Sequence, residues 1–137
     1  MAERGRIVSA GYNGAPSGLP HCTEVGCLMA TVRERERCTR IIHAEDNALK
    51  QAHGRGDTLY TTGKPCYDCL KDIITTNISC VVWWQDYDDP YRETLLKQVS
   101  NRLTLVHLDL RPVFQEILNE PSWFVHFDER SILGGYP

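Results

Sequence analysis

Two short segments of the chain contain residue types that bind metals and transfer protons. The first is His-Ala-Glu at residues 43–45, and the second is Pro-Cys-Tyr-Asp-Cys at residues 65–69. Alone, a Cys-x-x-Cys pair is equally typical of redox motifs, and a single histidine is more often a core residue than a ligand. Because each segment opens a predicted helix and the two occur in this order, their combination indicates a metal site far more specifically than either part does.

The spacing within these segments suits a catalytic zinc site, which takes three protein ligands and leaves a fourth position for water. Cys66 and Cys69 lie three residues apart in the first turn of a predicted helix, so both sulfurs face one side. The positive helix end favours their thiolate forms. We expect His43 to supply the third ligand from the neighbouring helix. Glu45 is two residues further on, and we expect it to transfer protons as a general acid–base without binding the metal.

A second group of metal-binding residue types lies in residues 13–40, which the sequence predicts to be one long functional loop. One interpretation is a second, structural zinc, because loop segments without a core are often stabilised by a metal. The alternative is free thiols in a loop, or one thiol near the active site. The candidate ligands are His21, Cys22, Cys27 and Cys38.

The predicted elements around these motifs alternate between strands and helices. Strands are predicted at residues 6–12, 58–62, 79–84 and 103–108, and helices at 43–53, at 66–76, from Asp89-Pro90 onwards and at 112–118. The nearly continuous apolar run at 79–84 is typical of a strand buried in a parallel sheet. Aspartate followed by proline is a helix start. Together they favour a single α/β domain with a largely parallel sheet flanked by helices.

Composition limits the partners that we expect. The chain has 137 residues, a formal net charge of −3 and an isoelectric point near 5.9. A protein that binds polynucleotides usually carries a basic excess, so this balance argues against such a partner but allows a small phosphorylated ligand. The chain has no apolar run of about 18 residues, and its charged start lacks the apolar stretch of a signal peptide. We therefore expect a cytoplasmic protein whose six cysteines bind metal or are buried thiols.

Over about residues 6–108 the chain resembles the bacterial and phage deoxycytidylate (dCMP) deaminases. The resemblance rests on Gly-Tyr-Asn-Gly-Ala-Pro-Ser-Gly at 11–18, His-Ala-Glu-Asp-Asn-Ala-Leu at 43–49 and Leu-Tyr-Thr-Thr at 59–62 before the segment at 65–69. His-x-Glu followed by Pro-Cys-x-x-Cys is shared by zinc nucleobase deaminases in general. The Gly-Tyr-Asn-Gly-x-Pro block separates this group from the tRNA adenosine and riboflavin-pathway deaminases.

The resemblance implies a three-layer cytidine deaminase-like fold and the hydrolytic deamination of dCMP to dUMP and ammonia. It also implies a homo-oligomer, a hexamer in the family, with deoxycytidine and thymidine triphosphates as effectors; Mg²⁺ would accompany such a triphosphate. In the family Asn13 would contact the sugar, while Arg55 or Lys64 is the nearest cation for the phosphate. The predicted substrate-binding residues are Asn13, Ala44, Asn47, Arg55, Thr62, Pro65 and Tyr87.

The sequence also departs from the family. Members usually begin with a helix and a strand before the segment equivalent to residues 6–12, and here five residues precede that segment. We therefore expect a fold without the usual first helix and strand. The tail at residues 109–137 has no counterpart that the resemblance assigns.

Two other functions compete with dCMP deamination. The first is deamination of another nucleotide or of a base in a polynucleotide, which the acidic net charge argues against. The second is a catalytically inactive module that zinc merely stabilises. Glu45 argues against that module, because a purely structural zinc site needs no adjacent acid.

Overall fold

The computed structural model describes residues 1–119, without the side chains of residues 114, 117 and 118, and the chain separates into two compact units. The first unit, Met1–His107, contains the sheet and the motif residues. The second, Leu108–Pro137, contributes helix α5 (Arg111–Asn119), close to the helix predicted at 112–118. The rest of the predicted tail, residues 120–137, lies outside the described residues.

The elements of the first unit follow the predicted alternation, with additions before residue 40. In chain order they are β1 (Ala2–Glu3), β2 (Arg6–Ile7), α1 (Cys22–Val25), β3 (Met29–Val32), β4 (Arg35–Cys38), α2 (Ala44–Ala52), β5 (Thr58–Gly63), α3 (Tyr67–Ile74), β6 (Cys80–Gln85), α4 (Pro90–Val99) and β7 (Thr104–His107).

A five-stranded sheet in the order β2-β1-β5-β6-β7 forms the centre of this unit. Strands β5, β6 and β7 are parallel, and Leu59, Val81 and Leu105 lie side by side in the register. Strands β1 and β2 add an antiparallel edge. The mostly parallel α/β sheet flanked by helices is therefore confirmed.

Side chains along each parallel strand point alternately to the two faces of the sheet, and the core lies on the face that helices α2 and α3 cover. Leu59 and Val81 are buried on this face against Leu70 and Ile73 of α3. Burying side chains of this size stabilises the fold by about 1.5–3 kcal/mol each. Small residues on α2 (Ala48 and Ala52) are also buried and let this helix lie close to the sheet. The same packing therefore fixes the helices whose first turns carry the two motifs.

The predicted strand at residues 6–12 is wrong beyond Ile7, where β2 ends. The following residues pack along α2 through specific polar and close backbone contacts. The Ser9 hydroxyl donates to the Ala48 carbonyl at 2.8 Å. A Cβ atom at Gly11 would lie 2.1 Å from the Ala44 carbonyl oxygen, so only glycine allows this approach.

The prediction of one long loop over residues 13–40 is also wrong, because this segment contains α1 and a β3–β4 hairpin. Arg33 and Glu34 at the hairpin tip have φ of 50° and 63°, as a two-residue type I′ turn requires at both central positions. The Arg33 guanidinium donates to both carboxylate oxygens of Asp68, at 2.6 and 2.7 Å. The hairpin is thereby tied to the first turn of α3. No helix in the described part of the chain has the length and apolarity needed to cross a membrane.

We predict that Gly11→Ala lowers the free energy of unfolding by about 1–3 kcal/mol, as overpacking of a tight contact does. The new methyl group would meet the backbone of Ala44 and Ala48, which cannot turn aside as a side chain can. Gly63→Ala is the control: its methyl would meet nothing nearer than 4.0 Å, and we expect no loss. Urea unfolding measures both. Equal midpoints for the two variants would contradict the prediction.

Candidate metal centre and active site

The candidate metal centre lies where two helices begin. His43 is the N-cap of α2 and Cys66 is the N-cap of α3, each with extended backbone. Nδ1 of His43 is 3.4 Å from Sγ of Cys66 and 3.3 Å from Sγ of Cys69. The fold therefore brings together the three residues that the sequence predicts as zinc ligands, with their ligand atoms within 4.8 Å of one another.

This donor set fits zinc. With Zn–S of about 2.3 Å and Zn–N of about 2.0–2.1 Å, tetrahedral geometry separates the nitrogen and a sulfur by roughly 3.5 Å. The observed separations of 3.3 and 3.4 Å agree with that value. Two sulfurs and one imidazole nitrogen also match the three-ligand pattern of catalytic zinc.

The two thiols of this cluster differ in pKa. Hydrogen bonds from Cys69 and contact with His43 lower the pKa of Cys66 to about 4. The same hydrogen bond from Cys69 to Cys66, together with burial, raises the pKa of Cys69. The contact with Cys66 raises the pKa of His43. The lowered pKa of Cys66 favours its thiolate, which is the form in which cysteine binds a divalent metal.

Glu45 lies in the first turn of α2, beside this cluster. Burial raises the pKa of its carboxyl group. A carboxylate whose pKa is raised accepts a proton more readily near neutral pH, which suits an acid–base role. Glu45 and His43 both line the main cavity of the first unit, which has a volume of about 700 Å³.

Four of the predicted substrate-binding residues line this cavity: Asn13, Ala44, Thr62 and Tyr87. The backbone N–H of Ala44 donates to Oδ1 of Asn13 at 2.9 Å, which fixes the Asn13 amide against the first turn of α2. With its oxygen engaged, the amide presents its donor end to a ligand.

The other three, Asn47, Pro65 and Arg55, lie outside the cavity lining. The Asn47 amide donates to the Tyr12 carbonyl at 2.8 Å and so holds the loop that carries Asn13. Arg55 is exposed and pairs with Glu3 at 3.5 Å. Pro65 precedes the N-cap of α3 and shapes the turn into that helix.

The sequence offers two candidate cations for the phosphate, Arg55 and Lys64, and of these two Lys64 lies at the cavity. It lines the cavity, and it is the only lysine or arginine among the described residues that do so. Its ammonium nitrogen lies 3.0 Å from Oε1 of Glu93 and 5.2 Å from the centre of the Trp83 ring. This contact lowers the pKa of the Glu93 carboxyl group.

Two buried residues of the α4 start hold the cavity wall. Asp89 caps α4, as the sequence predicts, through a bond from the Arg92 amide at 3.2 Å. Its second oxygen accepts from the Tyr67 amide at 3.0 Å, so one carboxylate caps both α3 and α4. The Arg92 guanidinium donates to the Tyr87 carbonyl at 2.6 Å and to the Lys64 carbonyl at 3.5 Å. Sequence analysis missed Arg92, because nothing local distinguishes a buried arginine from an exposed one.

The second cysteine group also comes together, without His21. The sulfurs of Cys22, Cys27 and Cys38 lie within 4.8 Å of one another, and those of Cys22 and Cys38 are 3.6 Å apart. A hydrogen bond from the Arg40 backbone lowers the pKa of Cys38 to about 7, and the bond with Cys38 raises the pKa of Cys22 to about 11. His21 instead forms the N-cap of α1, and its backbone N–H donates to Glu24.

Known proteins resemble the chain in sequence and in fold. ComE operon protein 2 of Bacillus subtilis (strain 168) is 37% identical over 110 residues, which cover 76% of this chain and 56% of that protein. Deoxycytidylate deaminase of Saccharomyces cerevisiae is 38% identical over 89 residues, which cover 60% of this chain and 28% of that protein. The chain thus spans about half of the first relative's length and less of the second's.

A crystal structure of dCMP deaminase from the cyanophage S-TIM5, in complex with dCMP and dUMP, has a similar fold. The TM-score is 0.59 at 24% identity, and the match covers 78% of this chain and 76% of that one.

The family model described as "Cytidine and deoxycytidylate deaminase zinc-binding region" matches residues 1–85, which is more than half of the chain. Both segments of the candidate metal centre, at residues 43–45 and 65–69, lie within that match. The chain therefore belongs to the family of cytidine and deoxycytidylate deaminases with this zinc-binding region.

Proposed function

We propose that this chain is a zinc-dependent deaminase that hydrolyses dCMP to dUMP and ammonia. The observation that carries the proposal is the cluster of His43, Cys66 and Cys69 beside Glu45, at a cavity with one cationic wall residue. Family membership supports zinc binding. The likeness to a fold whose crystal structure contains dCMP and dUMP supports the choice of nucleotide.

In the proposed reaction the metal ligands and Glu45 have different roles. When bound by His43, Cys66 and Cys69, zinc lowers the pKa of water to about 7 and so supplies a nucleophile. Glu45 takes up the two protons of this water one after the other, and delivers the first to the ring nitrogen and the second to the departing amine. One water is consumed: its oxygen becomes the new carbonyl at the ring carbon, and the amine leaves as ammonia. The pKa of Glu45, which burial raises, suits a group that is protonated and deprotonated in each turnover.

Asn13 and Tyr87 orient the nucleoside in this proposal. Asn13 is held by the Ala44 amide and presents its amide donors to a sugar hydroxyl. A site built to hydrogen-bond a hydroxyl discriminates strongly against ligands that lack it, because the site's own polar groups are then left without a partner. Burial raises the pKa of Tyr87, which keeps its hydroxyl protonated as a donor. Lys64 is the cation that we assign to the 5′-phosphate, in place of Arg55.

We also propose that Cys22, Cys27 and Cys38 hold a second, structural zinc. Their mutual proximity supports this in a segment that contributes few core residues. His21, the predicted fourth ligand, is not in this group. The oligomer, its triphosphate effectors and an accompanying Mg²⁺ stay predictions from the family resemblance.

The competing functions are weaker on specific grounds. A polynucleotide substrate needs an extended cationic surface, whereas the described cavity lining contains a single lysine and no arginine. An inactive structural module gives no reason for Glu45 to lie in the cavity beside the ligands.

Metal analysis separates the two zinc sites. We expect about two zinc ions in the parent protein. Cys66→Ser should contain one and lose activity, because it removes a ligand of the catalytic site. Cys27→Ser should also contain one. Cys80→Ser, a cysteine outside both clusters, should contain two and is the control. Undiminished zinc in Cys66→Ser would refute the catalytic assignment, and a single zinc in both the parent and Cys27→Ser would remove the second site.

Glu45→Gln should retain zinc and lose at least about 10²–10⁴-fold in kcat, the usual contribution of positioned acid–base catalysis. The amide keeps the size of the side chain but cannot take up the proton. Ammonia release from dCMP and zinc content are measured on the same preparation. Appreciable turnover by Glu45→Gln at full zinc content would show that another group transfers the proton.

The substrate is tested by ammonia release from dCMP, deoxycytidine, deoxycytidine triphosphate and single-stranded DNA. We expect kcat/KM for dCMP to exceed that for deoxycytidine by about a hundredfold, the scale of a charge-assisted contact pair. Equal values for the nucleotide and the nucleoside would mean that the phosphate is not recognised. Faster turnover of single-stranded DNA would favour the polynucleotide alternative.

A further inference from the structure

The cation at the cavity wall already has an anionic partner. Lys64 lines the cavity, and its ammonium nitrogen lies 3.0 Å from a carboxylate oxygen of Glu93. The Lys64 side chain is 16% exposed, whereas that of Glu93 is 48% exposed. A ligand phosphate that reaches Lys64 therefore encounters an ammonium group whose positive charge Glu93 already compensates.

Lys64 is held in place on its other sides. Its backbone N–H donates to the Gln85 carbonyl at 2.9 Å, and its carbonyl lies 3.5 Å from a guanidinium nitrogen of Arg92. The ammonium also lies over the Trp83 ring, at 5.2 Å from its centre. Hydrogen bonds therefore hold the Lys64 backbone, and its ammonium group contacts both the Trp83 ring and Glu93.

Glu93 keeps a second cation if Lys64 changes partner. The carboxylate oxygen that accepts from Lys64 also accepts from Nε of Arg92, at 3.2 Å. Partly exposed ion pairs are weak enough to be exchanged. A phosphate monoester carries a charge of about −1.5 to −2 and three acceptor oxygens, so it is the stronger partner for an ammonium group.

We propose that Glu93 is a specificity-determining residue that competes with the substrate's 5′-phosphate for Lys64. The inference rests on the proposed function. Binding of a nucleotide replaces the Lys64–Glu93 pair by a Lys64–phosphate pair. Glu93 thereby sets how strongly the site prefers a nucleoside monophosphate to the nucleoside, because the carboxylate holds the ammonium group that the phosphate would bind.

Calorimetric titration with dUMP and deoxyuridine tests the exchange, since these ligands differ only by the phosphate. In the zinc-loaded protein, Glu93→Gln should raise the ratio of dUMP affinity to deoxyuridine affinity about fivefold, the upper scale of an exposed ion pair. Lys64→Met should lower this ratio at least about tenfold. Lys64→Arg should restore most of it, and Glu93→Gln should have no further effect in the Lys64→Met background.

Glu3→Gln is the matched control, because it removes the same charge and releases Arg55 instead of Lys64. Its ratio should equal that of the parent. A ratio that is unchanged or lowered in Glu93→Gln overturns the inference, as does a rise confined to Glu3→Gln, which would assign the phosphate to Arg55. Lack of dUMP binding in the parent also overturns it. Product binding requires no turnover, so a parent that fails to release ammonia from dCMP refutes the proposed function alone.

Discussion

The structure depends on the approach of two helix starts, those of α2 and α3, to one point. His43 and Cys66 occupy the N-cap positions of these helices, each with extended backbone, and their ligand atoms lie 3.4 Å apart. Neither helix could place its ligand alone. The approach exists because both helices cover the same face of strands β5 and β6, packed over Leu59 and Val81.

Buried polar groups then tie the cavity wall to that point. Asp89 accepts from the amides of Tyr67 and Arg92, so the start of α3 cannot move independently of α4. Arg92 in turn holds the carbonyl of Tyr87. Burying charged groups is costly unless they are paired and hydrogen-bonded. Here those bonds connect the first turn of α3 to the loop that carries Tyr87.

Charge is distributed along the cavity in a way that suits a small anionic nucleotide. His43 and Glu45 lie in the lining, and His43 also belongs to the cluster that would hold a divalent metal. Lys64 also lies in the lining, and its partner Glu93 is about half exposed. This arrangement supports the proposed substrate, a base with one phosphate, over a polymer with many phosphates.

The sequence by itself determined the residue types of the candidate ligands and the helix starts, because caps and metal spacing act over three or four residues, and it offers Glu45 as the proposed proton carrier. It could not determine which of two nearby cations faces the cavity. Lys64 is held by Glu93, 29 residues away, and Arg55 by Glu3, 52 residues away, and contacts of such range leave no periodic signal. The sequence does not predict the hairpin over residues 29–38 for a related reason: neither of its strands has a buried residue, and the Arg33–Asp68 pair that ties it to α3 exists only in the folded chain.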